Sequence, residues 1–490
     1  MNAVPFLLFA ALLAGQASTP PGGDPSAIAT EIDPVPDLAK ALDQARGKYA
    51  DEVEKVAAWA AKKDWQGEAE ELWEEVIDLV PDHKKARKAL GYSFDRRKQE
   101  WIRDEDWRPG RNGGRVDGAA LDERLEKARS SYRDGLLKAV QKHGEGVELE
   151  EVRRILDPVA SHFPEDADLQ KAMGRVEGWE GRPWVLPEAK LARERRAALK
   201  KTGADLRKEA PERTASEANE GEKEIGLGFS IMGLGDWRAL ATSNKDEASD
   251  ALEVAWTSGE LFKLVLHEEA SLPEGLSIYV LDDFGQRSAI ARLPNVRETD
   301  REAIQEVSAF WLDWHTFSVV DDEKRQRMDA VSRQCIAWLL KDSFGITMRN
   351  GWVFEGFGLY LSYRVVGTRL GIFIREGEYT GNSNAEDLLA RLKGSRSNWF
   401  KIAHDVLTEG ERPRLAFMLG KDVNSLTGNE LLYGYVLSAY ILEVLPDKAP
   451  ELLKRIGSGD QPAIVLEETF GMKLDTIERQ LFNWLDDARF

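Results

Sequence analysis

The chain has 490 residues, which is enough for about three domains of ordinary size, each with a core of its own. Its 86 acidic and 67 basic residues give a formal net charge of −19 at pH 7. So acidic a chain is a poor binder of phosphate backbones and of anionic lipid surfaces, and we expect no nucleic-acid partner.

The first residues, MNAVPFLLFAALLAGQASTPPGGDPS, are typical of a secretory signal: an apolar run over residues 4–14, small residues, then a polar Pro/Gly-rich stretch. We predict a signal peptide over residues 1–17, a flexible tether over 18–42, and export to the periplasm or the extracellular space. The apolar run is shorter than the roughly 20 residues that a membrane span needs, and no other segment approaches that length, so no span is expected. The single cysteine, Cys335, excludes an intramolecular disulfide.

Residues 43–190 have apolar side chains at spacings of three and four, which predicts helices. The segments PDHKKARKALGY, from Pro81, and PEDADLQKAMGR, from Pro164, form an internal repeat 83 residues apart, and tryptophans follow each copy. This pattern resembles helical hairpins of the tetratricopeptide kind, so we predict an all-α helical-repeat region. Two roles remain open for it, a concave surface for proteins or peptides and a helical spacer.

Residues 191–225 are strongly charged and poor in large apolar side chains. They predict a solvated helix that runs into a linker, with a domain boundary near residue 225.

Residues 226–490 mix strand and helix signals and predict an α+β domain. WRALATS indicates a strand, NKDEASDALEVAWTSGELFKLVL a capped helix, and LSIYVLDD a second strand. AFWLDWHTFSVVDD alternates as a hairpin does, and the chain after residue 321 is largely helical.

The helix MDAVSRQCIAWLLKD is followed by WVFEGFGLYLS, and the chain ends on ETFGMKLDTIERQLFNWLDDARF. In this order, residues 235–490 resemble the peptidase MA-like family of gluzincin metallopeptidases. The resemblance implies a helix that presents two histidines, at positions i and i+4, to one zinc ion, with a glutamate at i+1 as general base. A later glutamate would supply the third ligand, and Glu355 occupies that position.

The histidines are missing, and two registers of the motif helix are open. In the first, Ser332 stands at the first histidine position, Arg333 at the base and Ile336 at the second histidine. In this register 18 residues separate Ile336 from Glu355.

In the second register, Arg333 replaces the first histidine, Gln334 the base and Ala337 the second histidine. In this register 17 residues separate Ala337 from Glu355. We prefer this register because it keeps apolar residues at the positions that the motif helix buries. Neither register supplies two imidazoles, and one carboxylate does not hold a zinc ion that needs three protein ligands.

The sequence therefore favours a non-catalytic peptidase-like protein with no cofactor and no catalytic residue. It would bind a protein or peptide, or act as a scaffold, and the old substrate cleft would persist as a groove. Its candidate lining residues are Trp352, Glu355, Gly356 and Tyr360. The remaining carboxylate, Glu355, has a simple role without metal in either of two ways, a favourable interaction with the N-terminus of its own helix or a salt bridge to Arg333.

The alternative is a zinc-dependent metallopeptidase with a displaced site built from Glu355, His315 and a third group. A purely structural protein that associates through its helical repeats is a further possibility. Cys335 shares a helical face with apolar residues, and we expect an inert core thiol.

Overall fold

The computed structural model describes residues 36–489, apart from residues 105, 109, 111, 112, 114, 115, 267, 268, 372–387, 389, 390, 393, 395, 396, 410 and 411. The predicted signal peptide and residues 18–35 of the predicted tether lie outside this range. The chain divides into two compact units, Met1–Met173 and Gly174–Phe490. Among the described residues, no helix combines the length and the hydropathy that a bilayer span requires.

The described part of the first unit is mostly helical. Its elements are α1 (Pro36–Lys62), α2 (Gln66–Leu79), α3 (Lys84–Ala89), β1 (Tyr92–Asp95), β2 (Glu100–Arg103), α4 (Gly118–His143), α5 (Leu149–Ala160) and α6 (Ala167–Ala172). Helix α1 begins inside the segment predicted as tether, because Leu38 already packs as a buried residue of that helix.

The 83-residue repeat is larger than its sequence signature. Helices α4, α5 and α6 repeat α1, α2 and α3 at this spacing, and His83 and Asp166 are equivalent N-cap residues whose side chains accept a backbone N–H. Each short helix is followed by a glycine with positive φ, Gly91 at 77° and Gly174 at 69°. Left-handed glycines of this kind end helices, so the chain turns out of the helix at the same place in both copies.

A β-hairpin follows that glycine in each copy, which corrects the all-α expectation for this region. Strand β1 pairs with β2, and in the second copy β3 (Val176–Trp179) pairs with β4 (Arg182–Val185). Both strands of the first hairpin carry aromatic or β-branched residues, which favour extended backbone. The second hairpin belongs to the second unit.

The second unit contains a mixed six-stranded sheet in the order β5-β6-β7-β8-β10-β9. Its strands are β5 (Thr214–Ala215), β6 (Ser230–Leu234), β7 (Trp237–Ala241), β8 (Ser277–Leu281), β9 (Ala309–Trp311) and β10 (Thr316–Val320). Strand β8 pairs in parallel with β7 and β10, and the remaining pairs are antiparallel. The predicted strands and the predicted hairpin are confirmed.

Helices make up most of the rest of this unit. They are α7 (Pro187–Glu209), α8 (Glu220–Glu224), α9 (Lys245–Leu266), α10 (Arg287–Ile290), α11 (Arg301–Glu306), α12 (Lys324–Phe344), α13 (Gly351–Val366), α14 (Trp399–Glu409), α15 (Leu415–Met418), α16 (Gly428–Val444), α17 (Ala449–Gly457), α18 (Pro462–Phe470) and α19 (Leu474–Ala488). Helix α9 is the predicted capped helix, since the Asn244 side chain accepts the Glu247 N–H at 3.0 Å. Helices α9 and α12 pack on each other and on the sheet, and α13 lies against α9, α12 and α16.

Helix α7 differs from the predicted solvated helix. Its residues Ala189, Ala192 and Gly203 are buried, and a Cβ at Gly203 would lie 2.1 Å from the Arg364 carbonyl oxygen on α13. Small residues on one face let α7 approach the core closely; most of its charged residues are exposed, whereas Arg195 and Arg196 reach Glu443 on α16. The charged segment is thus part of the second unit, and the chain divides after Met173 rather than near residue 225.

Candidate functional site

The candidate site lies where α12 packs against α13. Arg333, in the middle of α12, reaches Glu355, in the second turn of α13, with 3.1 Å between Nη2 and Oε2. Both side chains are 1% exposed. Of the two simple roles predicted for Glu355, the salt bridge is therefore confirmed, and it is an ion pair of the protein interior.

The guanidinium makes further contacts with the backbone. Its Nε donates to the Gly371 carbonyl at 3.0 Å, and its Nη1 lies 3.5 Å from the Phe354 carbonyl oxygen. A Cβ at Gly358 would stand 1.4 Å from Nη1, so the guanidinium occupies space that only a glycine leaves free. The second glycine of EGFG thus has a role that the sequence interpretation missed.

A second buried carboxylate, Asp329, lies one helical turn before Arg333. It accepts hydrogen bonds from Thr368 Oγ1 at 2.7 Å, from the Leu370 N–H at 3.0 Å and from the Gly371 N–H. Burial raises the pKa of Asp329, while these hydrogen bonds and the Arg333 charge act against that rise. Gly371 therefore connects the two charged side chains, because its N–H binds Asp329 and its carbonyl binds Arg333.

Burial lowers the pKa of Arg333, and the neighbouring charges of Glu355 and Asp329 oppose the shift. An arginine keeps its proton in proteins, so the site holds a fixed positive charge next to the Glu355 carboxylate.

The two registers of the motif helix lead to different surroundings. Ser332 faces α9, where its hydroxyl lies 3.0 Å from that of Ser258, and Ile336 is buried in the apolar core. Arg333 is the residue of α12 that reaches Glu355. Of its partners in the preferred register, Gln334 is buried and Ala337 is partly buried against the core.

The four candidate groove residues do not line a groove. Trp352, Glu355, Gly356 and Tyr360 are all fully buried. Trp352, Gly356 and Tyr360 follow one another at four-residue spacing on a single face of α13, and that face packs against α16.

The contacts of that face explain its burial. A Cβ at Gly356 would lie 2.3 Å from Ser438 Oγ and 2.4 Å from the Gly434 carbonyl oxygen. Gly434 in turn packs on Trp352, and the Tyr360 hydroxyl donates to Glu443 at 2.7 Å. The motif alone predicted a cleft for these residues. Their burial depends on glycines in two helices that bring α13 and α16 into contact, and the motif does not indicate that contact.

No family model, no curated protein and no solved structure matches this chain.

Two further candidates of the sequence interpretation lie apart from the ion pair. His315 contacts residues of its own hairpin, with 3.3 Å from Nδ1 to Asp313 and 4.4 Å between its ring and that of Trp314. Cys335 is fully buried and burial raises the pKa of its thiol, which confirms the expectation of an inert core residue.

The residues at this site do not fit a zinc ion. Within the described ranges no three His, Cys, Asp or Glu side chains come close enough to share a metal. Where the resemblance implies a histidine, Arg333 offers N–H donors and no lone pair. A cation already lies against the carboxylate that would be the third ligand. The arrangement can neutralise a buried glutamate and fix the distance between two helices.

Proposed function

We propose that this protein is a non-catalytic relative of the peptidase MA-like gluzincins that binds proteins or peptides, or serves as a scaffold. The observation that carries the proposal is the buried ion pair between Arg333 and Glu355. In the resemblance, a zinc ion would balance the charge of this glutamate. Here a guanidinium balances it, which preserves the packing of α12 on α13 without a Lewis acid or an activated water.

This exchange has a physical reason. A carboxylate buried in the core needs a positive partner, since an unpaired buried charge is strongly destabilising. Arginine provides a permanent charge and planar donors, and Gly358 and Gly371 leave room for it. Loss of a metal at such a position therefore need not cost the fold.

Because the four candidate groove residues are buried, we propose that the binding surface is in the first unit. A shallow cavity of about 240 Å³ lies between α1 and α4 and is lined by Lys48, Lys138 and Asp134. At its base Tyr49 stacks on Tyr132 with 4.4 Å between ring centroids. These two tyrosines are equivalent residues of the 83-residue repeat, so each copy contributes one ring to this surface. Export to the periplasm or the extracellular space is part of the same proposal.

The first experiment tests the relation to a metallopeptidase. The variant R333H/Q334E/A337H restores the motif in the preferred register, and the control S332H/R333E/I336H places it in the other register. We expect the first variant to retain one zinc ion per chain after desalting, measured by elemental mass spectrometry. The control should bind none, because its histidines face α9 and the apolar core.

Two outcomes contradict the proposal. Stoichiometric zinc in the wild-type chain that is lost in Glu355→Ala would show a working metal site. Absence of zinc from the well-folded R333H/Q334E/A337H variant would remove the likeness to a zinc peptidase.

The second experiment tests binding. Random peptides displayed on phage are selected for binding to the full chain. The binding of enriched peptides is then compared between the variant K48E/K138E and the control K142E, which alters an exposed lysine of α4, the helix that contains Lys138. We expect enriched peptides to lose binding to K48E/K138E and to keep binding to K142E. Equal binding to both variants would place the surface elsewhere, and no enrichment would count against a peptide-binding role.

A further inference from the structure

A cavity of about 300 Å³ opens in the second unit beside the N-terminus of α12. Its lining includes Arg325, Gln326, Tyr363, Arg369, Leu370 and Leu392. Neither the ion pair at Glu355 nor the surface in the first unit uses this cavity. Arginines, other hydrogen-bond donors and leucines all contribute to this lining.

Arg369 is the unusual member of this set. It is only 7% exposed, and its guanidinium donates to Tyr435 Oη at 2.7 Å and to the Ser397 carbonyl at 3.2 Å. Its charge lies 3.9 Å from the ring centroid of Tyr363 and 4.7 Å from that of Trp399. All of these partners are neutral, and none of the carboxylates in the described ranges forms an ion pair with Arg369.

A buried guanidinium without an anion is rare, because burial of a charge is costly unless an opposite charge accompanies it. Aromatic rings and neutral acceptors offset part of that cost. The other buried arginines of this unit show the usual solution: Arg333 pairs with Glu355, Arg327 with Glu247 and Arg364 with Glu443. Arg369 instead borders an open cavity.

The N-terminus of α12 is a second, independent feature of the same cavity. Its N-cap residue, Glu323, makes no side-chain capping hydrogen bond, and Glu323, Arg325 and Gln326 all line the cavity. The first turn of a helix has N–H groups without intrahelical acceptors and carries a partial positive charge. Anions bind at such positions when space allows.

The other side chains of the lining indicate which further chemical groups a ligand of this cavity would have. Arg325 is exposed, and Arg325, Gln326 and Tyr363 make no side-chain hydrogen bond within the described part of the chain. Leu370 and Leu392 are the large apolar residues of the described lining. Glu323 is the one acidic residue of the described lining, against two arginines.

We propose that this cavity binds a carboxylate that bears an apolar group. The carboxylate pairs with Arg369 and with the N-terminal turn of α12, Arg325 adds charge at the rim, and the apolar group packs on the two leucines. Both a free organic acid and the C-terminal residue of a peptide offer this chemistry. The inference does not depend on the proposed function, since an organic acid would bind whether or not the protein binds peptides.

The test is isothermal titration calorimetry of the full chain with N-acetyl-L-leucine and with its neutral analogue N-acetyl-L-leucinamide. We expect saturable binding of the acid and at least tenfold weaker binding of the amide, because hydrogen bonds to a charged group are lost. Arg369→Gln should weaken binding of the acid by roughly tenfold or more. Arg325→Ala should weaken it less, and the control Arg349→Ala, at an exposed arginine outside the cavity, should leave it unchanged.

Arg369→Gln alters a buried residue and can fail to fold. Arg325→Ala changes an exposed side chain and keeps the inference testable in that case. No binding of the acid to the wild-type chain would overturn the inference and leave the aromatic rings as the sole compensation for Arg369. Equal binding of acid and amide, or full affinity in folded Arg325→Ala and Arg369→Gln, would also overturn it.

The two sources of the carboxylate are then separated with a hexapeptide that ends in leucine. Tighter binding of its free-acid form than of N-acetyl-L-leucine, lost on C-terminal amidation, assigns the cavity to a peptide C-terminus. Weaker binding of the peptide than of N-acetyl-L-leucine assigns it to a small organic acid.

Discussion

At the scale of single residues, the Arg333 guanidinium depends on the missing side chain at position 358. A Cβ there would lie 1.4 Å from Nη1 and 2.6 Å from Cζ, so the Arg333 head group must shift when position 358 gains a side chain. A methyl group at this position must therefore displace the guanidinium from Glu355. Removal of one partner from a buried ion pair is strongly destabilising, because it leaves the other charge unpaired.

We expect Gly358→Ala to lower the free energy of unfolding by roughly 3–5 kcal/mol in a urea titration. Gly420→Ala is the matched control, since no atom lies within 4 Å of a Cβ at that position, and its effect should stay within about 0.5 kcal/mol. The cost of Gly358→Ala should also shrink in an Arg333→Met background, because the clash is then relieved. Additive effects of the two substitutions would contradict the assigned role of Gly358.

Asp329 provides a prediction about pH. Burial raises its pKa above the ordinary value of 3.8, although the hydrogen bonds from Gly371 and Thr368 and the Arg333 charge act in the opposite direction. The folded chain then binds a proton at this carboxyl at a higher pH than the unfolded chain does, so ionisation of Asp329 costs stability. The contribution of Asp329 to stability is most favourable at pH values below its pKa in the unfolded chain. It is lost as pH rises through its raised pKa in the folded chain.

We expect Asp329→Asn to remove this component, so that its free energy of unfolding falls less with rising pH across that window than the wild-type value does. The comparison is the slope in urea titrations at several pH values, whatever the constant offset between the two proteins. Asp342→Asn changes an exposed carboxylate of the same helix and should follow the wild-type slope. Parallel curves for Asp329→Asn and wild type would refute the prediction.

At the scale of secondary structure, α7 shows how a charged segment becomes a core element. Arg196 donates from Nε and Nη2 to both oxygens of Glu443 on α16, at 2.8 and 2.7 Å. Glu443 is fully buried and also accepts the Tyr360 hydroxyl. Arg195 binds the carbonyl oxygens of Glu443 and Val444, so two adjacent arginines attach α7 to the end of α16.

Arg196→Ala should lower the free energy of unfolding by roughly 3–5 kcal/mol, because it leaves the buried Glu443 carboxylate short of its bidentate partner. Lys200→Ala, at an exposed position one turn further along α7, should change it by no more than about 0.5 kcal/mol. Urea titrations of both variants measure the difference. Similar small effects for the two would mean that α7 is held by its apolar contacts alone.

The elements that the sequence predicted are those with a strong periodic signal. Strands β7, β8, β9 and β10 alternate or run apolar, and α9 has a capping asparagine followed by apolar residues at helical spacing. The packing of α7 has no such signal, since alanine and glycine on its buried face weigh little in any apolar pattern. The hairpin of β1 and β2 was missed because its aromatic residues were taken as part of the helical repeat.

The candidate site likewise contains one contact that the sequence predicted and one that it did not. The pairing of Arg333 with Glu355 followed, as one of two simple roles for Glu355, from the resemblance, which places both residues at one metal site. The covered face of α13 did not, because it depends on Gly356 and Gly434 meeting across two helices that are far apart in sequence. The relation of the motif to the gluzincins stays a prediction.

At the scale of the whole molecule, the division of the chain does not follow its composition. The apolar core of the second unit includes Leu186 and Ala189, which precede the predicted charged linker of residues 191–225, and Ala192, which lies within it. Strand β5 forms one edge of the six-stranded sheet, and the Glu222 carboxylate lies 3.0 and 2.9 Å from the two terminal nitrogens of Arg238 on β7. A domain that began at residue 226 would lack all of these contacts.

Two fragments test this division. Residues 174–490 contain the complete second unit and should unfold cooperatively, whereas residues 226–490 would expose the faces that α7 and β5 cover in the chain. We expect the longer fragment to be monodisperse with a sharp thermal transition in circular dichroism. The shorter one should aggregate or melt without a transition, because apolar surface and the buried Glu443 carboxylate would be left uncovered. A shorter fragment that melts as cooperatively as the longer one would show that α7 is an appendage of the second unit and not part of its core.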